Sequence, residues 1–260
     1  SAQELVFPED IATLEVYLST LGDDNNSGYD PLFPVFTLQR ALEAIYHRGY
    51  TQAARINVLA GTYNIQDVNF RPSFRGSDTQ VITVEGPLIE IIIGNILNIQ
   101  ILNPSNLLEV TVNNILPGDV LEFLSGPLLG LQVQISNIVG NVITLPITDL
   151  PNVGDTYRIL RNTVTFAASS LIMRGEVTLR NITLQVEDTL QLLGRLTCAN
   201  VNIFCTLLRL MDCVLRSAVG ILQGLHLHNL LVEGQNALLD ITSFTCDTVQ
   251  FTLRSCKCLL

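Results

Sequence analysis

Tryptophan is absent from this chain and lysine occurs once, at Lys257. The remaining basic residues are scattered arginines, so no basic run exists to displace the counterions of a nucleic-acid backbone. With a formal charge of −10, the chain is not expected to bind DNA or RNA. Aromatic residues are few, at 6%, which leaves sparse flat surfaces for stacking sugar rings. Charged residues reach only 15%, against a usual share of roughly 25%. A lone chain of this kind shows much uncharged surface, and a partner would cover it. No long apolar run is free of polar residues. The most apolar stretch, 87–104, is broken by Glu90, Asn95, Asn98 and Gln100, and its isoleucines suit buried strands, so membrane insertion is not expected. The first residues carry no charged segment followed by an apolar one, so no leader is visible. None of the six cysteines (Cys198, Cys205, Cys213, Cys246, Cys256, Cys258) stands in a CxxC pair. Most alternate with polar residues, as reduced core positions in strands do, which favours a reducing site of synthesis. No metal or cofactor is expected.

What is present begins with a strand at Val16-Tyr17-Leu18 and a turn cluster, Gly22-Asp23-Asp24-Asn25-Asn26-Ser27-Gly28. Thr37 can cap a helix whose Leu38, Ala41, Leu42 and Ile45 share one face, with Gly49 placed to end it. A short alternating strand follows at 55–59, and Gly61-Thr62-Tyr63 turns the chain into another. This succession of about fifty residues resembles the opening of right-handed parallel β-helix proteins of the pectin-lyase-like superfamily, most of all virion and tailspike-type proteins of phages and large DNA viruses. The resemblance implies an all-β fold: a right-handed parallel β-helix (solenoid) with an N-terminal capping α-helix and a small antiparallel β insertion. It implies fold more firmly than function, because one fold hosts many activities. By resemblance, the chain is expected in a virion. It is expected to be a homo-oligomer, a trimer preferred, with carbohydrate or other virion proteins as partners.

The C-terminal hundred residues repeat an apolar-x-polar-apolar-x-apolar pattern, with polar positions at Asn181, Asn200, Asp212, Asn229 and Thr248. The steps between them are 19, 12, 17 and 19. All but the second suit one coil of a parallel solenoid, and the short step means either a trimmed coil or a slip in register. Stacked coils would place these five side chains in a structural ladder.

Between Pro104 and Leu160 the texture changes. Strands are expected at 116–123, 131–135, 142–145 and 156–159, with Gly140-Asn141 as a hairpin turn. The division expected is therefore an arm at 1–15, the cap helix and first coils at 16–103, a small β module at 104–160, and C-terminal coils at 161–260. The last residues stay apolar to Leu260, so that end is expected to be covered by a partner subunit or continued by further chain.

No catalytic constellation is evident. Asp23-Asp24 reads as a turn, and Asp212 with Asp240 as a weak carboxylate pair. His226 and His228 lie two apart on one strand and, with Glu233 from a nearby segment, form the candidate ligand-binding set; two histidines alone define no metal site. The expectation is a non-enzymatic structural or attachment protein. The alternative is a polysaccharide lyase, hydrolase or carbohydrate-binding protein. That alternative requires a groove lined by at least two carboxylates and an arginine or histidine.

Overall fold

The computed structural model describes residues 13–48, 53–70, 81–102, 105–110, 114–116, 118–135, 137–145, 147, 149–211, 214–217, 224–233, 238–240, 245–246 and 251–254. Strands that alternate apolar and polar residues bury one side and wet the other, and here they do so in three parallel stacks. The first stack runs through Leu14–Leu18, Ala53–Val58, Val81–Glu85, the ends of Leu171–Arg180 and Thr189–Ala199, Val214–Ser217 and Leu238–Asp240. The second joins Gly61–Asn64, Val164–Ala168, Ile182–Val186, the starts of Asn202–Met211 and Gly224–Glu233, and Thr245–Cys246. The third joins Val68–Phe70, the starts of Leu171–Arg180 and Thr189–Ala199, the ends of Asn202–Met211 and Gly224–Glu233, and Phe251–Arg254. From Gly61 onward each coil visits all three stacks, whereas the helix stands between the first two strands. Leu171 aligns with Leu190 and Leu179 with Cys198, nineteen residues on in both cases. The chain is thus mostly β with a large parallel sheet, an arrangement that fits an all-β solenoid.

Inward side chains stack rung upon rung. Val16, Ile56, Val84, Leu179 and Cys198 form one column of fully buried residues. Cys198 and Cys205 are buried inside this core. The corners use backbone that few residues tolerate. Gly175 and Gly194 align at the corner between the third and first stacks, with φ of 85° and 117°. At the corner between the first and second stacks, Asn181 and Asn200 both take φ of 57°, the left-handed region that asparagine accepts more readily than most.

The helix Leu38–Arg48 forms where its sequence pattern places it. Thr37 caps it, its Oγ1 accepting from the Arg40 amide at 3.2 Å. Its buried residues, Leu38, Ala41, Leu42, Ala44 and Ile45, join the same apolar cluster as the strands.

Residues 88–162 build two four-stranded antiparallel sheets over a separate apolar cluster. Strands at Val120–Phe123, Gln132–Gln134, Val142–Leu145 and Thr156–Asn162 occupy segments the alternation marked. The antiparallel pairing begins at Leu88, however, and not at residue 104. Leu88–Asn95 pairs with Thr156–Asn162, and Asn98–Leu102 with Ser105–Glu109. The isoleucine run reads as buried coil strand but lies at a sheet edge, where Ile89 and Ile93 are 48% and 55% exposed. These sheets meet the solenoid through polar contacts: Gln134 Nε2 donates to Asn202 Oδ1, and Asn162 Nδ2 donates to the Asn200 carbonyl at 3.1 Å.

The register also resolves the short repeat step. Asn200 donates its side-chain amide to the Oδ1 of Asn181 at 3.1 Å and of Asn162 at 3.0 Å. Leu210, however, aligns with Leu192 in the third stack, while the partner of Cys198 is Ser217. The step of 12 is therefore a change of stack and not a trimmed coil. Asn229 aligns with Leu207, away from the corner that holds Asn181 and Asn200. Asp212 and Thr248 lie outside the described residues. The five positions do not form one ladder, because the same apolar-polar pattern recurs on more than one face.

Candidate functional site

Outward positions of the first stack alternate with the buried column. On the first three rungs they are Glu15 and Tyr17, then Arg55 and Asn57, then Thr83 and Glu85. Glu15 aligns with Arg55 and Tyr17 with Asn57. On the next rung pair Arg55 aligns with Thr83, and Asn57 with Glu85. Five of these residues line one open cleft of about 650 Å³, completed by Pro31, Val58, Leu59, Gly86 and Pro87.

Both carboxylates engage the middle rung. Asn57 Nδ2 donates to Glu15 Oε2, and Arg55 Nε lies 3.5 Å from Glu85 Oε2. The Arg55–Glu85 pair is partly exposed, so its worth is about 0–1 kcal/mol and it orients more than it stabilises. With rungs about 4.8 Å apart and residues about 3.3 Å apart along a strand, the Glu15 and Glu85 Cα atoms lie about 12 Å apart. Their carboxyls both turn toward the rung between. Tyr17, half-buried, supplies the cleft's one aromatic surface. The column continues beyond the cleft, since Thr83 aligns with Thr178 and Thr178 with Thr197. Chemically this is a strip of hydrogen-bond acceptors and donors with one ring, suited to a hydroxyl-rich ligand lying along the stack.

The residues singled out in the sequence stand elsewhere. His226 aligns with Phe204 in the second stack, whereas Glu233 aligns with Met211 in the third, so register does not bring them to one stack. The side chains of His226, His228 and Glu233 lie outside the described residues. Asp240 aligns with Arg216 rather than with Asp212. Asp23 and Asp24 serve the turn. Asp23 Oδ1 accepts from the Asn25 amide, and the Asp24 carboxylate accepts from the amides of Phe36 and Thr37 and from the Thr37 hydroxyl. Among the described residues no group of three or more His, Cys, Asp and Glu is placed to hold a metal ion. None of their helices is long and apolar enough to cross a membrane.

A second cleft, of about 380 Å³, lies between the start of the helix and residues 64–68. Its carboxylate, Asp67, already accepts from the Ile172 amide at 2.8 Å.

Glu15, Tyr17, Arg55, Asn57 and Glu85 were not legible as a set. Their alternation with Val16, Leu18, Ile56, Val58 and Val84 marks each as outward-facing. The rungs are 40 and 28 residues apart, from 15 to 55 and from 57 to 85, so no constant period aligns them.

No protein-family model matches the chain, and no curated protein does. Among solved structures, a glycoside hydrolase aligns at 9% identity and a TM-score of 0.28, over 88% of this chain and 80% of that one. The Gp54 tailspike of Acinetobacter baumannii bacteriophage AP22, solved with A. baumannii capsular saccharide, aligns at 9% identity and a TM-score of 0.21, over 80% and 61% of the two chains. The gp49 tailspike of Pseudomonas phage LKA1 aligns at 11% identity and a TM-score of 0.22, over 80% and 52%. Likenesses this slight carry no argument about fold or function.

Proposed function

We propose that this chain is a non-enzymatic attachment protein, a right-handed parallel β-helix that holds an extended saccharide on the outer face of its first stack. The observation that carries the reading is the cleft in which Glu15, Tyr17, Arg55, Asn57 and Glu85 converge from three successive rungs. Both carboxylates are partnered, one by an amide and one by a guanidinium. That suits recognition of hydroxyls better than catalysis, which needs a carboxyl free to give or take a proton at the reacting bond. Calorimetric titration with a panel of neutral, amino and acidic oligosaccharides tests it. Binding is expected to be lost in Tyr17→Ala and Asn57→Ala, and a chain that binds none of the panel overturns the reading.

The helix Leu38–Arg48, in this reading, covers the first coil and shields the apolar end of the solenoid, a task any solenoid end demands. The assembly is a virion-associated homo-oligomer, three chains being what the resemblance of the opening residues implies. The exposed Ile89, Ile93, Leu97, Ile101 and Val139 of the antiparallel sheets offer apolar surface for such contacts. Light scattering on the eluting protein is expected to give a trimer mass, and a monomer sinks this part.

A second reading has its own observation. Two carboxylates and an arginine in one groove are the minimum for a glycoside hydrolase or lyase. Release of reducing ends or unsaturated products, abolished by Glu15→Gln and by Glu85→Gln, would establish it over the first.

A further inference from the structure

The cleft's charge balance and its pitch narrow the ligand further, and this step rests on the saccharide reading above. Two carboxylates and one guanidinium line the cleft. The guanidinium of Arg55 is turned to Glu85, whereas Glu15 accepts from the neutral amide of Asn57. One carboxylate charge is thus left without a cationic partner among the described residues. The chain as a whole carries −10, so its field repels acidic polymers and attracts cations. The pitch sets the ligand's direction. Rungs stack about 4.8 Å apart, close to the rise of one hexose in an extended β-linked chain, so successive sugars can meet successive rungs. Glu15, Arg55, Thr83, Thr178 and Thr197 form one aligned outward column over five such rungs, which spans about 20 Å.

We infer that the ligand is an amino-bearing glycan, with a free ammonium held by Glu15 and the chain running along the solenoid axis over four to five sugars, and not a uronate-rich or sulfated polysaccharide. The ammonium donates charge-assisted hydrogen bonds to the Glu15 carboxylate, and the threonine hydroxyls beyond it meet the neutral remainder of the chain.

The test is calorimetric titration of the full chain at a pH near 6 with three oligosaccharide series: β-1,4-linked glucosamine, its N-acetylated counterpart, and galacturonate. The glucosamine series is expected to tighten with length up to four or five sugars and then level off. The N-acetylated series is expected to bind about tenfold more weakly, and Glu15→Gln to remove that difference, as a lost hydrogen bond to a charged group does. A melting curve confirms that this variant is folded. Should it not fold, raising salt on the unaltered chain reads the same contribution, since screening weakens the glucosamine series and spares the acetylated one. Galacturonate binding as tightly as glucosamine, or equal binding of the acetylated series, overturns the amino-glycan inference and leaves the saccharide reading standing. Failure of all three series overturns the saccharide reading itself. A lysine-rich peptide that binds through Glu15 where sugars do not overturns both.

Discussion

Gln134 and Asn202, 68 residues apart, share a 2.7 Å hydrogen bond in which the glutamine amide donates to the asparagine oxygen, and both side chains are buried. The bond ties the antiparallel sheets to the solenoid at a point where water is excluded. Asn202→Ala removes the acceptor and leaves a buried amide short of a partner, which costs about 1–3 kcal/mol. The expected result is a fall of several degrees in the melting temperature. The double variant Gln134→Leu, Asn202→Leu is expected to lose less than the two single changes added together, and additive losses would show that the pair is not coupled.

Acid is expected to loosen the segment before the helix. Burial alone would raise the pKa of Asp24. The hydroxyl and amide of Thr37, the amide of Phe36 and the charge of Arg40 outweigh it and hold the pKa below 3.8. A carboxylate with a depressed folded pKa adds stability that is fully present above its unfolded value and is lost as pH falls through the folded one. Unfolding by urea at pH 7 and at pH 3 should therefore show a loss in the parent chain and a smaller one in Asp24→Asn. Equal losses would assign the acid sensitivity to other groups.

Two glycines of the same handedness should respond differently to alanine. At Gly175, φ is 85° and an added Cβ would lie 1.9 Å from the Phe70 carbonyl oxygen. At Gly130, φ is 83° and nothing lies within 4 Å. Gly130→Ala is expected to cost about 1–2 kcal/mol, the conformational penalty alone. Gly175→Ala must also push the neighbouring rung away, so it is expected to cost clearly more or to prevent folding. Urea titration of both variants, with soluble yield as a second readout, decides this. Equal costs would mean the corner can open.

Arg161 neutralises Asp119, which is 3% exposed, through two hydrogen bonds of 2.8 and 2.9 Å. Arg161→Met strands that carboxylate and is expected to cost about 3 kcal/mol. Adding Asp119→Asn should restore part of the loss. If the single variant melts like the parent, the pair does not hold the antiparallel sheets together.

Local rules reached the elements and stopped at their alignment. The Thr37 cap and the face Leu38, Ala41, Leu42, Ile45 were legible because a helix is written by neighbours within two turns. The copies at Leu179 and Cys198 were legible because one coil separates them. Leu210 was assigned to the wrong stack because an apolar-x-polar run looks the same on every face of a coil, and only hydrogen-bond register separates them. The start of the antiparallel sheets was missed at Leu88 for a related reason. A run such as Ile91-Ile92-Ile93 fits a strand buried on both faces as well as it fits an apolar edge. The cleft residues were hidden because the helix lengthens the first coil, so that Glu15 and Arg55 meet across forty residues.

The antiparallel sheets leave the stacks and rejoin them at a single corner. Leu88 and Asn162 face each other across two paired strands, and the Thr163 hydroxyl donates to the Pro87 carbonyl at 2.8 Å. On one side Gly86 donates its amide to the Arg180 carbonyl, and on the other Gly61 donates to the Thr163 carbonyl. The coil therefore continues from Gly86 to Thr163 along the route it would take if the residues between were missing. One rung further on, Asn181 alone makes the same passage from Arg180 to Ile182. The register at this corner is held by the two ends of the segment and does not depend on its length. Replacing residues 87–162 by a single asparagine is therefore expected to leave the first and second stacks in register.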